Sequence, residues 1–437
     1  MREIIAAIGI GVAVLTPVFA DEKPKTAPKP DPIAGLIVNL DSRDYKVREA
    51  ASRALEARGL EALPSLRSAL RTTASAEIRN RLQGIVQNLE RIEILSPKRV
   101  TLKMNDRTVG EVVREIGRQC GYAMQYQGAA NRTVTIELQN ATFWEATDQI
   151  CNLAGLVMYQ NDQGLVMYPN DGVWPHVCYR GPFKIVANNF SYNKTMSFGP
   201  IQRNPTQNQL RNESLSFAFT LNTEPKLPLM GVGQPKLLEA IDDSGNSMKF
   251  DAHVHEAGYA SAYAINNVGY RTFQYGLSLN LVWPDKEARL VKRLHCSLPV
   301  TLLSQQKPDV VIDDVLKFKG KKFTGSHVEV QIDDVKDQPN KTQYAFKLTV
   351  RNTAANANQD YTWTNSVHQR IELFDANGIK YISQGYNWEN SSPSHVQATF
   401  MFGSTGGTIG PPARLVYNDW VLMQHQIEFE FRDLPLP

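Results

Sequence analysis

Long apolar runs are scarce in this chain. The one near the N-terminus, Ile4 to Leu15, falls short of the roughly 20 apolar residues that span a bilayer, and no later segment comes close. Cysteine is nearly absent, with four in 437 residues and none in the CxxC spacing of a zinc or redox site. The eight histidines are scattered without an HExxH motif, and there is no GxSxG nucleophile elbow. Neither Gly231-Val232-Gly233 nor Gly320-Lys321-Lys322 completes a phosphate-binding loop. Charge of one sign is lacking too, since 47 Lys and Arg face 44 Asp and Glu. A net charge of +3 gives a polyanion little to hold, so nucleic acid is not an expected partner. No cofactor is expected.

What is present begins with an export pattern. Met1-Arg2-Glu3, the apolar run, Pro17 and Val18-Phe19-Ala20 before Asp21 have the layout of a secretory signal with a small residue at the cut. The mature chain is expected to start near Asp21, in the periplasm or outside the cell. Residues 21–32, rich in Pro and Lys, read as a solvated tether. In an oxidising compartment the four cysteines suffice for two bridges, Cys120 with Cys151 and Cys178 with Cys296. The other reading is that they pack as small hydrophobes. A Cys178–Cys296 bridge would join the start of one predicted domain to its last strands.

Residues 33–97 carry apolar side chains at helical spacing: Val47, Ala50, Ala51, Ala54 and Leu55, then Leu63, Leu66 and Leu70, then Ile78, Leu82, Ile85 and Leu89. Asp41-Ser42 is the expected cap, Gly59 a stop, and Pro64 sits in a first turn. The stretch LDSRDYKVREAASRALEARGLEALPSLRSAL resembles a HEAT-like helical hairpin of the kind found in exported proteins of planctomycete-type bacteria.

Residues 98–172 repeat themselves. Val100 to Met124 lies over Val134 to Met158, matching Val100/Val134, Thr101/Thr135, Thr108/Thr142, Glu111/Glu145, Ile116/Ile150, Gly121/Gly155 and Met124/Met158. Each copy reads strand, helix, strand, which predicts a duplicated βαβ domain with two helices on one sheet. This stretch of about seventy residues resembles the short N-terminal domain of secretins and TonB-dependent receptors. That resemblance implies a periplasmic protein-contact module, although no barrel sequence follows.

From Val173 onward the period changes to two. Leu215, Phe217, Phe219 and Leu221 alternate with polar or small residues, as do Tyr344, Phe346, Leu348 and Val350. A second duplication links them: Glu239-Asp242-Gly245 matches Glu372-Asp375-Gly378, and the tetrapeptide Ala288-Arg289-Leu290-Val291 matches Ala413-Arg414-Leu415-Val416. Two tandem Ig-like antiparallel β-sandwiches are expected, 173–304 and 305–437. The arrangement, ending in FEFRDLPLP, resembles a group of planctomycete exported proteins, which supplies a context but no activity.

Three features invite a chemical reading. His253 and His255 would project to one face of a strand and could hold a transition metal, given a third ligand from elsewhere; the alternative is a solvated face. The acidic turns at Asp242 and Asp375 offer oxygen ligands to a hard cation, but Asx and Gly are also what tight hairpins require. The late aromatics, Tyr361, Trp363, Tyr381, Tyr386, Trp388, Tyr417 and Trp420, are either core or a stacking surface. Tyr386 and Trp388 lie where polar and aromatic residues mix without alternation, as in a binding loop. The sequence therefore predicts a multidomain α+β protein, exported and non-enzymatic, working in protein contact or envelope scaffolding. A glycan-binding module using Tyr386 and Trp388 stands second, and a metal-dependent hydrolase third.

Overall fold

The computed structural model describes residues 32–161, 164–170, 172, 174–196, 211–249, 266–282, 288–337, 343–353, 362–404 and 409–436. The expected signal, nearly all of the tether, Tyr361, His253 and His255 lie outside them. The protein is rich in antiparallel sheet with a few helices and forms two compact units, one up to Glu93 and one from Ile94. No described helix is long and apolar enough to cross a membrane.

The first unit contains helices α1 (Pro32–Asn39), α2 (Tyr45–Arg58) and α3 (Leu63–Thr72), and most of α4 (Ala76–Leu95). They close on Leu40, Ala51, Leu55, Leu63, Leu66, Leu82, Ile85 and Leu89. Val47 and Ala50 are exposed, so the stripe of α2 is narrower than its spacing suggests. The cap of α2 is Asp44, whose carboxylate accepts from the Lys46 N–H at 2.8 Å, rather than Asp41-Ser42. Gly59 ends α2 at φ +61°, and Pro64 occupies the first turn of α3, where its missing N–H costs nothing.

The second unit opens with the repeat, β1 (Arg99–Thr108), α5 (Val109–Cys120) and β2 (Met124–Tyr126), followed by β3 (Thr133–Thr142), α6 (Phe143–Ala154) and β4 (Leu156–Asn161). The element order is the same in both copies, and the matched residues explain why. Thr108 and Thr142 each cap a helix in a capping box closed by Glu111 and Glu145. Gly121 and Gly155 each end one in the left-handed conformation, at φ +73° and +50°. Ile116 and Ile150 are fully buried.

The expected single sheet is two. β1 pairs antiparallel with β3, while β5 (Gly164–Pro169) inserts between β2, to which it is parallel, and β4. The β1–β3 ladder has an internal twofold register: Leu102 faces Leu138 as Met104 faces Ile136, and Val100 faces Ala141 as Arg107 faces Val134. The pseudo-axis passes through Lys103 and Glu137, which face each other and pair at 2.9 Å. Thr101 and Thr135 are kept in both copies because each hydroxyl accepts a backbone N–H from the other's bulge, Asn140 and Asp106, both with positive φ.

The β half contains β6 (Val177–Arg180), β7 (Phe183–Met196), β8 (Arg211–Thr223), β9 (Leu229–Val232), β10 (Lys236–Asp242), β11 (Asn266–Thr272), β12 (Gln274–Leu281) and β13 (Leu290–Asp313). After these come β14 (Lys322–Thr324), β15 (Val328–Asp337), β16 (Gln343–Asn352), helix α7 (Thr362–Arg370), β17 (Ile371–Asp375), β18 (Ile382–Ser392), β19 (His395–Gly403) and β20 (Pro412–Pro435). A four-stranded sheet β12-β8-β7-β6 and a five-stranded sheet β14-β15-β16-β19-β18 each share a core with one large sheet, ordered β11-β9-β13-β20-β17 with β10 also on β13. The alternating residues Leu215, Phe217, Phe219 and Leu221, and Tyr344, Phe346, Leu348 and Val350, are buried as their spacing requires.

The large sheet joins what the sequence divides. β13 and β20 are 24 residues each and pair from Leu290 against Pro435 to Asp313 against Arg414. At about 3.3 Å per residue such a strand runs about 80 Å, more than one sandwich needs. The expected boundary at residue 304 thus falls inside β13. Ile427, Phe429 and Phe431 of the last strand belong to the first core, not the second. β13 holds two extra residues against β20, Ser304 and Asp309. Because side chains alternate with period two, the two bulges cancel, and both cores lie on one face of the strand.

The second duplication is equally literal. Asp242 and Asp375 are buried and take the N–H groups of their own turns, from Ser244 and Asn246 and from Asn377 and Ile379. Gly245 and Gly378 follow at φ +84° and +78°. These carboxylates build hairpins.

All four cysteines are buried free thiols, so neither expected bridge is formed. Cys178 lies on β6 of the four-stranded sheet and Cys296 on β13 of the large sheet, and both pack into the same core as small hydrophobes. Burial pushes Cys120, Cys151 and Cys296 up to about 12, which suits packing rather than reactivity.

Candidate functional site

Tyr386 and Trp388 sit on a strand, not a loop. β18 is the edge of the five-stranded sheet and is bulged on either side of the pair, between Ser383 and Gly385 and between Trp388 and Asn390. Tyr386 faces Phe400 of the core and stacks on His368 of α7, ring centroids 4.5 Å apart. Trp388 lies edge-on to Tyr386 at 5.1 Å and is 40% exposed. The pair therefore continues the second core outward. Tyr381, Tyr417 and Trp420 are buried, and Trp363 donates its indole N–H to the Pro393 carbonyl at 2.8 Å.

α7 fastens the two sandwiches. Gln369 treats the backbone of Arg271 as a strand would, accepting its N–H at 2.5 Å and donating to its carbonyl at 3.2 Å, so part of the β11 edge is occupied. The Arg370 guanidinium lies 4.3 Å over the Trp420 ring. Sequence reasoning missed this, because Arg271 and Gln369 lie 98 positions apart and no local pattern links them.

The duplicated domain is tied to the first sandwich by a buried carboxylate, Glu224, and a half-buried one, Asp148, that sequence reasoning also missed. Glu224 is fully buried and accepts the Lys98 N–H at 3.1 Å and the Tyr122 hydroxyl at 2.7 Å. Burial raises its pKa, although those bonds and Lys226 oppose the shift. Asp148 of α6 accepts the Tyr179 hydroxyl at 2.6 Å and pairs with Lys184. The Trp144 indole N–H adds a bond to the Pro182 carbonyl at 2.9 Å.

One strand edge stands out. β12 pairs with β8 in unbroken register, from Gln274 against Asn222 to Leu281 against Leu215, and has a ladder on one side only among the described residues. Its sequence, QYGLSLNL, has no charge, proline or bulge. Those are the devices that normally blunt an edge against pairing with another chain. Among the described residues no group of three His, Cys, Asp or Glu is placed to hold a metal ion.

No protein-family model matches the sequence, and no curated protein matches it. Among solved structures, a conserved domain protein from Bacillus anthracis is similar over 57% of this chain and 88% of its own, at 10% identity and a TM-score of 0.15. That likeness is too slight to bear on fold or function.

Proposed function

We propose that this is an exported, non-enzymatic contact protein of a bacterial envelope, built as a scaffold with HEAT-like helices, a domain like that of secretins and TonB-dependent receptors, and two Ig-like sandwiches. The single observation that carries the reading is the edge of β12, which among the described residues has no charge, proline or bulge and no second ladder. The backbone groups on that side, without a ladder among the described residues, fit an extended segment of a partner protein, added as a further strand. The paired β13 and β20 support the scaffold role, since one ladder contributes to both β cores. The signal-like N-terminus supports export.

The test is the double variant Gly276→Lys and Ser278→Lys. Both positions are exposed, and a side chain at Gly276 meets open space. Wild-type protein cross-linked in an envelope fraction should capture a defined partner that the double variant loses while keeping its thermal stability. Equal capture by both proteins would refute the reading.

A further inference from the structure

We propose that the cleft between the duplicated domain and the first sandwich binds a neutral carbohydrate chain. The cleft measures about 720 Å³, within the usual span of ligand sites, about 300–1,000 Å³. One wall is α6 with β4 and β5, and the other is β6, β7 and β8 with the start of β12. The site goes beyond protein contact and lies apart from Tyr386 and Trp388.

Three aromatic side chains line the cleft and stay wet: Tyr159 is 54% exposed, Tyr168 41% and Trp174 53%. In the two sandwiches, rings such as Phe217, Phe219, Phe346 and Phe400 are buried as core. Tyr159 faces Val166 across the β4–β5 ladder and Tyr168 faces Val157, which makes the two tyrosines diagonal neighbours on one face of the sheet. Leaving such rings in water forgoes hydrophobic stabilisation. Their flat faces suit the C–H face of a pyranose ring, and the tyrosine hydroxyls suit its rim.

The opposite wall supplies the complementary chemistry. Sugar hydroxyls donate and accept at once, which amide side chains match, and Asn188, Asn222 and Gln274 line that wall. Asn188 spends one donor on the Thr220 hydroxyl at 2.8 Å, which orients its carbonyl and second N–H. The only charged residues among the described lining are Asp148 and Lys184, and they pair with each other. A cleft with its charges neutralised offers nothing to phosphate or carboxylate groups, which disfavours nucleic acid and acidic polymers. Aromatic faces, amides and zero net charge together specify a neutral saccharide.

The experiment titrates the full chain with a panel of neutral hexasaccharides, built from β-1,4-glucose, α-1,4-glucose, β-1,4-N-acetylglucosamine, mannose or xylose. Tryptophan fluorescence and calorimetry give the readout. At least one should bind with a Kd below about 1 mM, equally at low and high salt. Trp174→Ala and Tyr159→Ala should each weaken it by about tenfold or more, and Trp388→Ala should leave it unchanged. The two variants lie on different segments, so a folding failure in one leaves the other to decide. Binding by none of the five, binding that both variants retain, or binding abolished by salt would overturn the proposal. Trp174→Ala, which leaves β12 untouched, should still capture the partner of the β12 edge, which separates this result from the fate of the contact reading.

Discussion

The buried carboxylate of Glu224 is the residue whose chemistry is most exposed to test. Its pKa is raised above the ordinary 4.5 mainly by burial. A raised acid stabilises the fold while protonated, below its unfolded pKa, and that contribution is lost as pH rises through the folded value. Glu224→Gln keeps an acceptor for Lys98 and Tyr122 but does not titrate. Its melting temperature, taken relative to wild type, should therefore become more favourable as pH rises above the ordinary carboxylate value of 4.5. A difference that stays flat or moves the other way would show that the hydrogen bonds outweigh burial. Asp375 has the opposite balance: burial opposes ionisation, yet the N–H groups of Ile379, Gly410 and Asn377 hold its carboxyl below the usual range.

At the scale of elements, the two helices of the duplicated domain stand on the same three supports, a capping Thr, a reciprocal Glu and a left-handed Gly. Thr108→Ala and Thr142→Ala should each cost about 1 kcal/mol in urea unfolding. Gly121→Ala should cost about 1–2 kcal/mol from its backbone conformation alone, since the added methyl meets open space. A Thr pair that differed widely would mean the symmetry is not energetic. These supports were legible in the sequence because each acts within four residues, and so were the inward faces of β8 and β16. What the sequence could not give was long-range pairing. Nothing local tells β5 to enter between β2 and β4, β18 to be an edge strand rather than a loop, or β13 to continue past Ser304. The cleft was invisible for the same reason, since its walls come from segments that meet only in the folded chain.

At the scale of the whole second unit, both internal duplications are resolved in one way. The copies are joined by an antiparallel ladder between equivalent strands, β1 with β3 and β13 with β20. Each Ala-Arg-Leu-Val stretch stands at its own end of the long ladder, near the strand of its own hairpin, β10 or β17. The C-terminus is therefore structural for the first sandwich. Phe429→Ala, eight residues from the end of the chain, should destabilise that sandwich by about 3–5 kcal/mol, read as lost protection in β8. Unchanged protection there would place Phe429 outside the first core.

That single body, rather than two sandwiches on a linker, is what presents both the β12 edge and the cleft. Amide hydrogen exchange across residues 300–312 and 414–424 tests it most directly. The account predicts protection in these segments comparable to that of β8 and β16, because the ladder continues through Ser304 and Asp309 with only two bulges. Exchange there as fast as in an exposed connection, with protection confined to the two ends, would contradict it.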